Sequence, residues 1–247
     1  MPHWLIDIGN TKTAFAQLEG DELASRYTIP TAELENVTLD FIRDEGDALI
    51  ASVVPDATTK LQGLLERRGI THRVITASDV PIRNEYEEIE KLGTDRILGA
   101  YAAYMHYGKP QQKNVIVVSL GTATTFECIS SEGVYLGGAI TLGIGSVIEA
   151  IHERTAQLPK VPLDVPKSAV GKTTMASLQS GILNTHLFGI RELIKLLSSE
   201  AFGDERPMII ATGGLGAFAT ANLPDVFDEV DPDLVLKGLA LLTRDTA

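Results

Sequence analysis

Three short stretches carry residue types that suit phosphate and hydroxyl chemistry. The first is Asp7-Ile8-Gly9-Asn10-Thr11-Lys12-Thr13, reached by the apolar run Trp4-Leu5-Ile6. An acid at a strand end, followed by a glycine turn, can hold a hydrated Mg²⁺ while backbone N–H groups face phosphate. Lys12 adds a positive charge. The same letters also suit a plain hairpin turn, because Gly-Asn is turn chemistry. The second stretch, VVSLGTATTF (117–126), repeats the pattern: apolar run, short polar residue, one apolar residue, glycine, then threonines. Asp7 falls on Ser119 and Gly9 on Gly121. Two opposed loops of this kind make a nucleotide cleft. The third stretch is Gly93-Thr94-Asp95-Arg96. A carboxylate in the first turn of a helix complements the dipole and can accept a proton from an attacking hydroxyl, a role that contributes about 10²–10⁴-fold in rate. Arg96 suits an anionic substrate group. A helix-capping acid and a surface cation are the alternative for this pair.

Other candidates read less sharply. Gly171-Lys172-Thr173 suggests a P-loop, but the position that would need the first glycine is Pro166, and no apolar strand leads in. A helix N-terminus with Thr173 and Thr174 exposed fits better, serving either a ligand or the cap. Gly213 and Gly214, in ATGGLGAF, let a ligand approach the backbone or make a tight strand-to-helix turn. The five histidines lie far apart, without metal-ligand spacing. Cys128 reads as a buried strand residue.

The elements that must position these residues follow from periodicity. Strands are expected near 3–8, 12–18, 48–53, 73–76, 115–119, 123–130, 135–140, 208–212 and 226–229. Helices are expected near 31–45, 57–69, 94–107, 146–155, 172–197, 214–223 and 232–243. LIASVVP (49–55) echoes MIIATGGLGA (208–217) much as the two loops echo each other. The chain therefore reads as an α/β protein built from a duplicated domain, with a boundary near residue 113.

With 247 residues, 44% hydrophobic and 22% charged, the composition is that of a globular protein with a real core. The net charge of −12 is spread along the chain and offers no basic patch, which argues against nucleic acid. One cysteine cannot form an internal disulfide, which fits a reducing compartment. The N-terminus lacks a signal-peptide pattern, and residues 135–151 are too short and glycine-rich for a membrane span. A cytoplasmic protein is expected.

Taken in order, DIGNTKT, EYEEIEKLGTDR, LGTATTF, GGAITLGI, RTAQLP, GKTTMASLQSG, ATGG and VLKGLAL resemble the type III pantothenate kinases. This family belongs to the superfamily of actin, sugar kinases and heat-shock chaperones. The resemblance runs from residue 5 to about 241. It implies two ribonuclease H-like (actin-like ATPase) domains with a nucleotide cleft between them: 1–113, with the C-terminal segment 232–247 packed back on it, and 114–231. It implies ATP-dependent phosphorylation of pantothenate, the first step to coenzyme A. Asp7, Ile8, Gly9, Asn10, Thr11, Lys12, Thr13 and Ala14 would form the first phosphate loop, with Asp7 holding Mg²⁺ through water. Asp95 would be the base. Tyr86, Gly93, Thr94, Asp95, Arg96 and Thr174 would contact pantothenate. Gly121 and Thr122 would serve ATP in the second loop, and Gly213 and Gly214 the adenosine side. A homodimer and a monovalent cation, K⁺ or NH₄⁺, are also implied.

One position departs from that pattern. The family has Asp-x-Gly-Thr in the second loop, where its Asp binds the monovalent cation; this chain has Ser119. A cation held by neutral oxygens and water binds more weakly. Glu127, where the family usually has Asp, lies down the return strand and is not expected to replace the missing acid. An active kinase with altered cation dependence is the expectation. The alternatives are a catalytically degenerate nucleotide- or pantothenate-binding regulator, and a small-molecule kinase of the same fold with another substrate.

Overall fold

The computed structural model describes residues 3–42 and 46–244. It forms two compact units, one running to His106 and resuming at Asp233, the other spanning Tyr107–Pro232. The expected boundary near 113 thus falls inside the second unit.

Unit 1 contains β1 (His3–Ile8), β2 (Lys12–Glu19), β3 (Glu22–Pro30), β4 (Asp47–Ser52), β5 (Thr71–Val74) and the short β6 (Arg83–Asn84). Its sheet has the order β3-β2-β1-β4-β5, with β1, β2 and β3 antiparallel and β4 and β5 parallel to β1. Trp4, Ile6 and Ile8 alternate along β1 and bury one face. Ala57, Leu61 and Leu65 of α1 (Pro55–Arg67) cover that face. Pro55 at the helix start, Asp56 in the first turn and Arg67 in the last are the residues a helix dipole favours. On the other side α2 (Thr94–Ala103) packs against α7 (Leu234–Arg244). A Cβ on Gly238 would lie 2.5 Å from the Leu98 carbonyl oxygen, so glycine is what lets these helices meet so closely.

Unit 2 contains α3 (Lys109–Gln111), β7 (Val115–Leu120), β8 (Ala123–Ile129), β9 (Val134–Leu142), α4 (Ile144–Arg154), α5 (Thr174–Phe202), β10 (Met208–Thr212), α6 (Gly216–Asn222) and β11 (Glu229–Val230). Its strands repeat the arrangement: β9-β8-β7-β10-β11, with β7, β8 and β9 antiparallel and β10 and β11 parallel. The β7 run VIVVSL is buried almost throughout, as a central strand requires. Ile116, Val118 and Leu120 pack with Leu187, Ile190 and Ile194 of α5. The two echoes in the sequence are the same strands of two similar sheets.

Three expectations need correcting. The helix expected over 31–45 is only a 3₁₀ turn, Thr31–Asn36, and residues 43–45 lie outside the described residues. Val37 and Thr38 are β-branched and poor helix formers, the Thr38 hydroxyl bonds Asp40, and Leu39 turns to φ 54. Strand β3 is not among the expected strands: as an edge strand, mostly exposed, it shows no apolar alternation. The last strand sits at Glu229–Val230 instead of 226–229, because Val226, in a turn, and Phe227 after it join the core without pairing. Residues 245–247, the end of the segment expected to pack back, also lie outside the described residues.

Candidate active site

In unit 1, β1 and β2 are joined by a turn closed by Gly9 N–H donating to the Lys12 carbonyl at 3.0 Å. Asn10, Thr11 and Lys12 are exposed on it, whereas Ile8 is buried. Thr13 is also buried, and its hydroxyl meets that of Thr31 at 3.1 Å. Thr31 in turn donates to the Gly9 carbonyl at 2.7 Å, and its N–H donates to the Thr11 carbonyl at 3.0 Å. Thr13 therefore braces the turn from within. Thr31 is a loop support that the sequence reading missed; lying 22 residues beyond Gly9, it gave no local signal.

Asp7 sits on β1 between Ala14 of β2 and Ala51 of β4, on the face opposite the Trp4, Ile6 and Ile8 core. Asp95 lies in the first turn of α2 and accepts a hydrogen bond from the Arg96 N–H at 2.8 Å. A Cβ on Gly93 would lie 2.6 Å from Asp95 Oδ1, so a side chain there would push the carboxylate from its present position. Thr94 is buried and reaches the Ile75 carbonyl. The Arg96 guanidinium lies 5.8 Å from the Tyr86 ring centroid, a cation–π contact that orients it.

Burial, and secondarily the charge of Asp95, push the Asp7 carboxyl up to about 7. Burial also raises Asp95, against the opposing pull of the Arg96 N–H and guanidinium. Two carboxylates crowded in this way destabilise the free protein when both are ionised. The Asp7 pKa is raised on folding, so its contribution falls as pH rises from about 4 to about 7 and is constant above that. Asp7→Asn removes this penalty. Thermal melts of the free protein should show the variant gaining little near pH 4 and progressively more up to about pH 7, with no further gain at about pH 8. An equal gain at both ends of that range would refute the assignment.

In unit 2, the turn between β7 and β8 is one residue shorter, with Gly121 N–H donating to the Ala123 carbonyl at 3.0 Å. Gly121 is exposed and Thr122 is exposed beside it. The Thr122 carbonyl accepts from Gly143 N–H at 2.9 Å and from the Ser146 hydroxyl at 2.7 Å. These two residues at the start of α4 are further supports that local motifs did not reveal. Gly213 has φ 82, and a Cβ there would lie 2.6 Å from the Leu120 carbonyl oxygen. Gly214 is exposed beside it. Ser119 is half-buried, paired with Thr125 of β8 and Thr212 of β10. Glu127 is buried and accepts from the Tyr135 hydroxyl at 2.5 Å.

Thr173 caps α5, its hydroxyl accepting from Ala176 N–H at 3.1 Å, which disposes of the P-loop reading of 171–173. Thr174 follows, exposed, on a groove of about 1220 Å³ between α4 and α5. His186 lines the same groove and meets the Thr124 hydroxyl at 3.3 Å. Within unit 1 the fold brings Asp7 near Asp95, and Arg96 to Tyr86. Within unit 2 it gathers Ser119, Gly121, Thr122 and Gly213 at one sheet end, and Thr174 lies on the same helix as His186, toward its start.

Known proteins share the fold of this chain. The archaeal actin homolog Ta0583 has the same fold, with a TM-score of 0.54 at 16% identity over 100% of this chain and 99% of that one. A Baf family protein from Campylobacter jejuni aligns with a TM-score of 0.66 at 23% identity over 98% of each chain. The Type III pantothenate kinase of Thermus thermophilus is 35% identical over 246 residues, 95% of each protein. A family model for type III pantothenate kinase matches residues 4–196, which takes in both loops, the Asp95 helix start and most of α5. By that match and that identity, the chain belongs to the type III pantothenate kinase family.

Proposed function

We infer that this chain transfers the terminal phosphoryl group of ATP to the primary hydroxyl of pantothenate, giving 4′-phosphopantothenate and ADP on the way to coenzyme A. The observation that carries this is the 35% identity to a type III pantothenate kinase, spread over 95% of the chain. Phosphoryl transfer asks a protein mainly for positioning and charge stabilisation. In this reading Asp95 takes the hydroxyl proton as the new P–O bond forms and the bond to the leaving ADP breaks. Arg96, steadied by Tyr86, binds the pantothenate carboxylate, and Gly93, Thr94 and Thr174 supply further polar contacts. The turns at 9–12 and 121–123 offer N–H groups to phosphate oxygens, and Gly213 and Gly214 leave room beside the adenosine.

The residues present fit Mg²⁺. It keeps most of its waters and needs only one or two carboxylates besides the phosphates, and a nearby cation favours the ionised form of Asp7, which burial and the charge of Asp95 oppose. When bound, Mg²⁺ neutralises charge on the phosphates. Asp7 would hold it through water. The residues around Ser119 do not fit a monovalent cation of the expected kind. The position has a neutral hydroxyl, and Glu127, two residues along β8 from its partner Thr125, is buried against Tyr135. Homodimerisation is part of the same reading; exposed Ile140, Leu142, Val170, Phe188 and Leu196, all on unit 2, support it.

The test is ADP release from Mg-ATP with pantothenate and with a panel of other small hydroxy acids and sugars. Release with pantothenate well above the panel is expected. Equal rates across the panel would replace the substrate. Calorimetric binding of nucleotide or pantothenate without ADP release would mean a binding regulator.

A further inference from the structure

The register of three strands sets Thr212, Ser119 and Thr125 side by side. Ser119 of β7 is paired with Thr212 in the parallel partner β10 and with Thr125 in the antiparallel partner β8. Residues directly paired across a sheet share a face. Their neighbours Ala211, Val118 and Phe126 go to the core on the opposite face. The result is a row of three hydroxyls across β10, β7 and β8, just below the Gly121 turn. The equivalent row in unit 1 is Ala51, Asp7 and Ala14, an acid between two methyl groups. Among the described residues, none of the three hydroxyls has a hydrogen-bond partner in the protein. Thr212 is only 5% exposed as a residue, yet its hydroxyl is not among the buried side-chain atoms left without a partner, so that oxygen stays open to a ligand.

The chemistry of the row is that of a donor. A carboxylate only accepts hydrogen bonds, so beside a phosphate it needs a cation between the two anions. A hydroxyl donates, and can meet a phosphate oxygen directly. No acid lies in the row. We propose that Thr212, Ser119 and Thr125 form a neutral donor row that takes a phosphate of the bound nucleotide without a monovalent cation. This proposal rests on the kinase reading for its ligand. It makes Ser119 a functional exchange: the negative charge and the cation that would balance it are absent together.

Binding of Mg-AMP-PNP, measured by calorimetry in K⁺ and again with choline as the only monovalent cation, tests it. The unaltered chain should bind within about twofold in the two media. Ser119→Ala should weaken binding about tenfold in both, the scale of one hydrogen bond to a charged group. Ser119→Asp should bind at least tenfold more weakly in choline and recover in K⁺. Tenfold tighter binding of the unaltered chain in K⁺, or an unaffected Ser119→Ala, would overturn the proposal. Melting curves show whether Ser119→Asp folds; if it does not, the other two measurements still decide. Since pantothenate is absent from this experiment, missing pantothenate-dependent ADP release with cation-independent nucleotide binding would remove the kinase reading and leave the row standing.

Discussion

Asp95→Asn lowers pantothenate-dependent turnover by about 10²–10⁴-fold, the usual contribution of a general base. The amide keeps the shape of the carboxyl, and its oxygen can still accept from the Arg96 N–H that Asp95 Oδ1 now holds at 2.8 Å. What it cannot do is take the proton of the attacking hydroxyl. The cation–π contact of Arg96 with Tyr86 does not pass through Asp95, so pantothenate binding should change little. The substitution also removes the charge that helps raise Asp7. The Asp7 carboxyl then ionises more readily, and Mg-nucleotide binding just below neutral pH should stay level or tighten. Steady-state ADP release with calorimetry of both substrates checks the result. Loss of kcat with binding retained is the expected split. Unchanged turnover would show that another group takes the proton. Loss of nucleotide binding would place Asp95 among the residues that hold Mg-nucleotide.

Gly213→Val destabilises the chain by roughly 2–5 kcal/mol, the sum of two effects. About 1–2 kcal/mol comes from forcing a side chain into the left-handed region at φ 82. A further 1–3 kcal/mol or so comes from overpacking against the Leu120 carbonyl oxygen, 2.6 Å from the new Cβ. Backbone at that distance cannot rotate away as a side chain would. The same carbonyl accepts from Leu215 N–H at 3.1 Å, so the turn between β10 and α6 and the end of β7 shift together. The melting temperature should fall by roughly 4–20 °C at about 2–4 °C per kcal/mol for a chain of this size, and nucleotide affinity should fall with it. Gly214→Ala is the control, because a Cβ there meets nothing within 4 Å. Its effect on stability should stay within about 0.5 kcal/mol. Equal melting temperatures for the two variants would show that the strand-to-helix turn adapts to a side chain.

Much of the fold was legible locally. Strands such as β1, β7 and β10 are short apolar runs ending in turn residues, and α2 and α5 keep helical spacing. The repeated loop pattern announced the duplication that the two sheets bear out in strand order. The failures share a cause. Strand β3 exists because β2 offers it an edge, and the segment after Thr31 is held by packing of Leu34, Leu39 and Ile42 into the unit 1 core. Neither carries a periodic pattern of its own.

The candidate site divides along the same line. By itself the sequence determined which groups are available: Asp7 at a strand end, Asp95 and Arg96 at a helix start, a glycine turn in each half, and a hydroxyl at 119. Those are properties of neighbouring letters, and neighbouring letters encode turns, caps and charge. Only the tertiary structure decided what surrounds each group. It buried Asp7 and set it close to Asp95, which together raise its pKa, turned Thr13 inward to Thr31, and put Thr212 and Thr125 on either side of Ser119. Those neighbours come from strands and helices far apart in the chain, joined by sheet register and core packing, and no local pattern records that pairing.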